Sequence, residues 1–210
     1  MDLTSRDLEL LDTLTRKVRV LTIQQIARTW WTTSQRAIEN ARERVSVLSS
    51  RQLLQTQRVP AHPELPLEAP AASWNIGEAK PDFGSVSYRL KARWKDHLVS
   101  TLCVSATSSS ANRFSGHGGR FPRQVERSHD IHLAAVYLRY RQEQPELVPG
   151  WIFEEQLREE KQRRSGRLPD VIICTGSTNK VVEFGGAYPK AKLEAFHAYC
   201  KEQELPYEIW

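Results

Sequence analysis

The chain has 210 residues, 40% of them apolar and 26% charged, the composition of an ordinary globular protein with room for one large domain or two small ones. No run approaches the roughly 20 apolar residues of a membrane span, and the Met1-Asp2-Leu3-Thr4 start has no apolar signal region, so a cytoplasmic protein is expected. Cys103, Cys174 and Cys200 are odd in number and lack metal-ligand spacing, which fits structural thiols in a reducing compartment.

The net charge of +5 is unevenly spread. Residues 1–60 hold ten Lys/Arg against six acids, residues 61–128 nine against six, and residues 129–210 eleven against thirteen. A basic front and a slightly acidic back predict two modules, the front facing a polyanion; a solvated basic surface would carry the same charge.

Thr4 and Ser5 open a helix with Leu8, Leu11, Leu14 and Val18 at helical spacing. Thr22 opens a second, with Gln25 placed to complete a capping box and Ile23, Ile26, Ala27 and Trp30 on one face. Thr32-Thr33-Ser34 forms a turn, and a third helix follows with Ile38, Ala41, Val45 and Leu48 inward. Three short helices with a tight turn before the third follow the helix-turn-helix plan, and a plain three-helix bundle is the competing reading. Thr33, Ser34, Gln35, Arg36, Asn40 and Arg44 are then the candidate DNA-reading residues: amide side chains suit adenine edges, and arginine suits guanine or phosphate.

Residues 53–59 read as a strand. Residues 85–94 read as another, because Val86, Tyr88, Leu90, Ala92 and Trp94 alternate with Ser87, Arg89, Lys91 and Arg93. Two strands after three helices predict a winged helix, with Arg58, Arg89, Lys91 and Arg93 along a phosphate backbone. Cations guarding an exposed edge strand would give the same pattern. Pro60 to Asp82 holds five prolines and is expected to be irregular, anchored by Trp74 and Ile76. Residues 98–107 could form one more strand. Residues 105–123, rich in Ser, Gly and Arg, are expected as a loop, with Arg113, Arg120 and Arg123 as secondary contacts. Gly116 to Arg120 superficially resembles a phosphate-cradling loop but lacks the Gly-Lys-Ser/Thr ending.

The last third predicts a helix at 129–142, strands at 151–157, 170–175 and 180–184 with a turn at 176–179, a helix at 190–203 and a final strand at 207–210. In the segment His129-Asp130-Ile131-His132, Asp130 is expected to cap the helix and the histidines to pack. The order helix, three strands, helix, strand resembles the PD-(D/E)XK nucleases. In that group, acids at the ends of adjacent strands hold Mg²⁺, which activates water for attack on phosphate. Asp170, after Pro169, and Glu183 match the two acids, and Glu154 or Glu155 could supply a further metal ligand. The usual lysine two residues after the second acid is replaced by Gly185, and Lys190 or Lys192 would have to stand in for it.

The segments LTSRDLELLDTLTRKVRVLTIQQIA, HDIHLAAVYL, PDVIICTG and VVEFGG together resemble the replication-relaxation family of plasmids and other mobile elements. The resemblance implies an α+β chain: an N-terminal winged helix-turn-helix (1–97), a linker with a basic loop (98–128) and a restriction-endonuclease-like αβββαβ core (129–210). It implies double-stranded DNA as partner, a possible homodimer, and a role in transcription, replication or mobilisation with no required cofactor. The alternative is an Mg²⁺-dependent endonuclease using Asp170 and Glu183.

Overall fold

The computed structural model describes residues 2–117, 119–158, 168–176 and 178–210, and residues 159–161 as backbone. Gly118 of the glycine-rich loop and Ser177 of the predicted turn lie outside the described residues. The elements run α1 (Ser5–Arg16), β1 (Leu21–Thr22), α2 (Ile23–Trp30), α3 (Gln35–Ser50), β2 (Leu54–Ala61), β3 (Ala72–Trp74), α4 (Phe83–Ala92), β4 (Val99–Ala106), α5 (Ser108–Arg113) and α6 (Arg127–Glu143). A 3-10 turn (Pro145–Gly150) leads to β5 (Trp151–Phe153), α7 (Glu154–Lys161), β6 (Val171–Thr175), β7 (Thr178–Glu183), α8 (Lys190–Glu202) and β8 (Tyr207–Ile209). The fold is mixed α+β with two sheets, ordered β1-β4-β2 and β3-β8-β7-β6-β5. Contacts divide the chain into a first unit of residues 1–64 and 98–138 and a second of 65–97 and 139–210, so the division does not follow a single linear boundary.

In the first unit each of the three N-terminal helices has its own cap. Thr4 and Asp7 form a reciprocal capping box on α1, Thr22 and Gln25 form one on α2, and Ser34 receives the Ala37 amide at the start of α3. These caps satisfy backbone donors that helix starts leave without intrahelical partners. The buried faces are Leu10, Leu11 and Leu14 of α1, Ile23, Ile26 and Trp30 of α2, and Ala37, Ala41, Val45 and Leu48 of α3. Leu8, expected inward, is 45% exposed, and Leu10 fills the core instead. β4 is the central strand of the sheet, antiparallel to β1 and to β2, with register Leu54↔Ala106 through Ala61↔Val99. Val20, Val59, Ala61, Cys103 and Ile131 close a cluster beneath it. Residues 107–113, expected as loop, form α5 because Thr107 caps the Ser110 amide and Ser110 Oγ donates to the Leu53 carbonyl.

A buried ion cluster ties this unit together. Arg19 pairs with Asp130, and its guanidinium also lies 3.5 Å from Glu126. Asp130 therefore serves as an internal counter-ion within the first turn of α6. Burial raises the Glu126 carboxyl, but hydrogen bonds from Arg120 and the Arg123 amide, with the Arg19 charge, outweigh this and bring it to about 2. His132 is fully buried, with its ring nitrogens on the carbonyls of Ser128 and Pro63.

In the second unit β5, β6 and β7 form an antiparallel meander, β7 and β8 run parallel across the α8 connection, and β3 adds an antiparallel edge to β8. Trp74, Phe83, Val86, Leu90, Val181, Leu193, Phe196 and Tyr207 form its core. Four expectations fail here. Residues 83–92 are helical, not a strand: Asp82 caps the Gly84 and Ser85 amides, and Phe83, Val86 and Leu90 bury one helical face while Tyr88 is 76% exposed. The strand at 151–157 stops at Phe153, so Glu154 and Glu155 sit in the first turn of α7. The proline-rich segment contributes the short strand β3, which its composition did not predict. Trp74 anchors the segment, whereas Ile76 is 60% exposed. Glu208 of β8 accepts from Tyr140 Oη (2.6 Å), Trp210 Nε1 (2.9 Å) and Lys180, so the acid on this strand is fully engaged within the fold.

Removing one member of a buried ion pair leaves the other without its counter-charge, which costs about 3–5 kcal/mol. Asp130→Asn is expected to lower stability by about 3 kcal/mol, since Glu126 stays beside Arg19. The urea unfolding midpoint of variant against parent measures this.

Candidate nucleic-acid interface and the paired acids

Two sets of predicted site residues fall in the two units. In the first, α2 and α3 are joined by the four-residue stretch Trp31 to Ser34. Thr33, Ser34, Gln35, Arg36 and Asn40 are all exposed. Ser34 is occupied as the helix cap, with Oγ 3.2 Å from the Ala37 amide, and Gln35 reaches Glu39 at 3.5 Å. Arg36 and Asn40 lie one turn apart on the same face, and among the described residues neither has a hydrogen bond or ion pair.

Arg44 has a different role from the one its position suggested. Its Nε donates to Asp7 Oδ1 at 2.7 Å, and a second guanidinium nitrogen donates to Oδ2. Asp7 also accepts from the Thr4 amide and hydroxyl, each at 2.7 Å. Arg44 thus braces α3 against the start of α1. Burial raises the Asp7 carboxyl, but the hydrogen bonds from Arg44 and Thr4 outweigh it and hold the group at about 2.

The predicted cationic row of a second wing strand is not present. β2 pairs with β4, and Arg89, Lys91 and Arg93 ride on α4 in the second unit. Arg89 donates to the Ala71 carbonyl at 2.7 Å, and Lys91 is exposed. Arg93 donates to the carbonyls of Gly185 (2.8 Å) and Trp210 (2.9 Å), and burial lowers its guanidinium to about 10. Arg58 remains on β2, exposed, as expected. Sequence reading passed over Arg42, which opens onto the same cleft as Arg58. Of the loop cations, Arg113 and Arg123 are exposed, while Arg120 pairs with Glu126 at 2.9 Å. Gly116 is required by close approach to the chain: a Cβ there would come within 2.4 Å of the Thr15 carbonyl.

In the second unit Asp170 and Glu183 do come together, at the open end of the β6–β7 hairpin. Glu183 Oε2 lies 3.3 Å from the Asp170 amide, Asp170 Oδ2 receives the Phe184 amide at 2.8 Å, and Tyr188 Oη donates to Glu183 Oε1 at 3.0 Å. Each acid thus binds the backbone beside the other and staples the strand ends. Lys190 is 3.8 Å from Glu194, and Lys192 Nζ lies 3.1 Å from the Tyr188 ring centroid. Among the described residues no three His, Cys, Asp or Glu side chains group as a metal-ligand set, so Glu155 does not complete one with this pair. These amide and phenol contacts give both acids a structural role within the fold. A side chain at Gly185 would not enter the site: its Cβ would meet Leu90 Cδ1 and Ile209 Cγ2, both at 2.9 Å.

Two outcomes are expected. Asp7 is 1% exposed and its carboxyl lies below the ordinary 3.8, so its contribution is present above about pH 4 and lost as pH falls through about 2. Arg44→Met is expected to cost about 2 kcal/mol at pH 7, with the gap to the parent closing between pH 4 and 2 in urea titrations. Gly185→Ala is expected to lose about 1–3 kcal/mol by overpacking against Leu90, read from the same unfolding curves. No family model matches this chain, and searches of curated proteins and of solved structures return no match.

Proposed function

We propose that the chain is a DNA-binding protein of the replication-relaxation type, acting in transcriptional control or in the replication or mobilisation of a mobile element. Its first unit acts as a winged helix: α3 is the reading helix and the β2–β4 pair is the wing. The observation that carries this reading is the exposed face of α3, where Arg36 and Asn40 stand one turn apart with no partner among the described residues. These two side-chain types read guanine and adenine edges in the major groove. The first unit holds fourteen Lys/Arg against nine acids, which supports the same reading, since cations supply the sequence-independent share of affinity.

The second unit keeps part of the order expected of a PD-(D/E)XK nuclease, with α7 inserted between β5 and β6, and we read its two acids as a structural staple. The reading is therefore a nuclease-like domain without catalysis. No helix of the described residues is long and apolar enough to cross a membrane.

Selection of bound sequences from a random duplex pool, followed by mobility shifts at about 50 mM salt, tests the proposal. Arg36→Ala and Asn40→Ala are each expected to weaken the selected site by about 1–3 kcal/mol and to relax its sequence preference. Absence of any shift at low salt would reject DNA binding. Nicking of supercoiled DNA by the parent with Mg²⁺ or Mn²⁺, lost in Asp170→Ala, would reject the non-catalytic assignment.

A further inference from the structure

Within the first unit a cleft of about 250 Å³ opens between the start of α2, the middle of α3 and the β2–β4 pair. Arg42 enters it from α3 and Arg58 from β2, with His62, Ser100 and Thr101 also on its walls. Both arginines are exposed, and among the described residues neither side chain has a hydrogen bond or an ion pair. The one acid on the lining, Glu64, is already neutralised: it receives both terminal nitrogens of Arg28, one of them at 3.0 Å. The cleft therefore presents two uncompensated guanidinium groups and the Ser100 hydroxyl in a space large enough for a phosphate group. Guanidinium groups bind phosphate oxygens by paired, charge-assisted hydrogen bonds, which makes this the chemistry the cleft best accepts.

We propose that this cleft is a phosphate site, in which Arg42 and Arg58 together grip one phosphate group. The group can come from a DNA backbone or from a free phosphate. The DNA source rests on the function proposed above, and the free source does not.

The test uses the full chain as parent and as the double variant Arg42→Gln/Arg58→Gln, with circular dichroism to show that both fold. In one arm, thermal unfolding is followed in inorganic phosphate and in chloride at matched ionic strength. A free phosphate source predicts that phosphate raises the parent midpoint by about 2 °C or more and leaves the variant unmoved. In the other arm, fluorescence anisotropy follows duplex binding across a salt series. A backbone source predicts that the slope of log affinity against log salt falls by about 1 in the variant. Arg42→Lys/Arg58→Lys is expected to keep most of the slope, because the charges remain.

A variant-sensitive result in either arm supports the site and names its source. If the parent binds no DNA but the phosphate shift depends on the two arginines, the DNA reading falls and the phosphate site stands. If DNA is bound with an unchanged slope and phosphate moves parent and variant equally, the phosphate site is overturned while DNA binding stands.

Discussion

The carboxylate of Asp7 is the constraint on which the placement of α3 in the first unit depends. It closes the capping box at the start of α1 and receives the Arg44 guanidinium from α3, so one group fixes the beginning of one helix and the placement of another. A helix that reads bases must be held rigidly, because direct readout depends on side chains meeting base edges in a fixed register. The opposite face of α3 is held only by small and branched apolar residues: Ala37, Ala41, Val45 and Leu48. The bidentate ion pair supplies the directional contact that apolar packing lacks.

The parts of the fold legible in the sequence are those whose signal is local. The helices at 5–16, 23–30 and 35–50 carry both an apolar period and a cap, and both features lie within a few residues. Strands β6 and β7 are legible for the same reason. The segment 83–92 misleads because Val86, Leu90 and the residues between them satisfy either period. The deciding facts are that Phe83 lies one turn before Val86 and that Tyr88 faces outward. Only the tertiary core selects between these patterns.

The candidate site divides along the same line. Arg36, Asn40 and Arg58 are where the sequence places them because exposure follows from local pattern. Arg44 and Arg93 are not, because their partners lie far along the chain, at Asp7, Gly185 and Trp210. Asp170 and Glu183 do lie together, but the contacts that hold them are not visible in the sequence. Whether a carboxylate is open to a ligand depends on which donors surround it, and Phe184, Tyr188 and the Asp170 amide are positioned by folding. Gly185 has a similar origin: Leu90 of α4 takes up the space beside it.

The β2–β4 pair encloses residues 62–98, a 37-residue excursion most of which belongs to the second unit. Closing such a loop costs about 2 kcal/mol more entropy than a tight four-residue hairpin, which eight paired positions readily offset. The arrangement makes the two units inseparable as lengths of chain. A fragment ending at residue 97 would lose β4, the central strand of the first sheet, and a fragment starting at 98 would lose β3 and α4 from the second. A gene encoding this fold cannot donate either half to another protein by simple truncation. The two units would be inherited, exchanged or lost together.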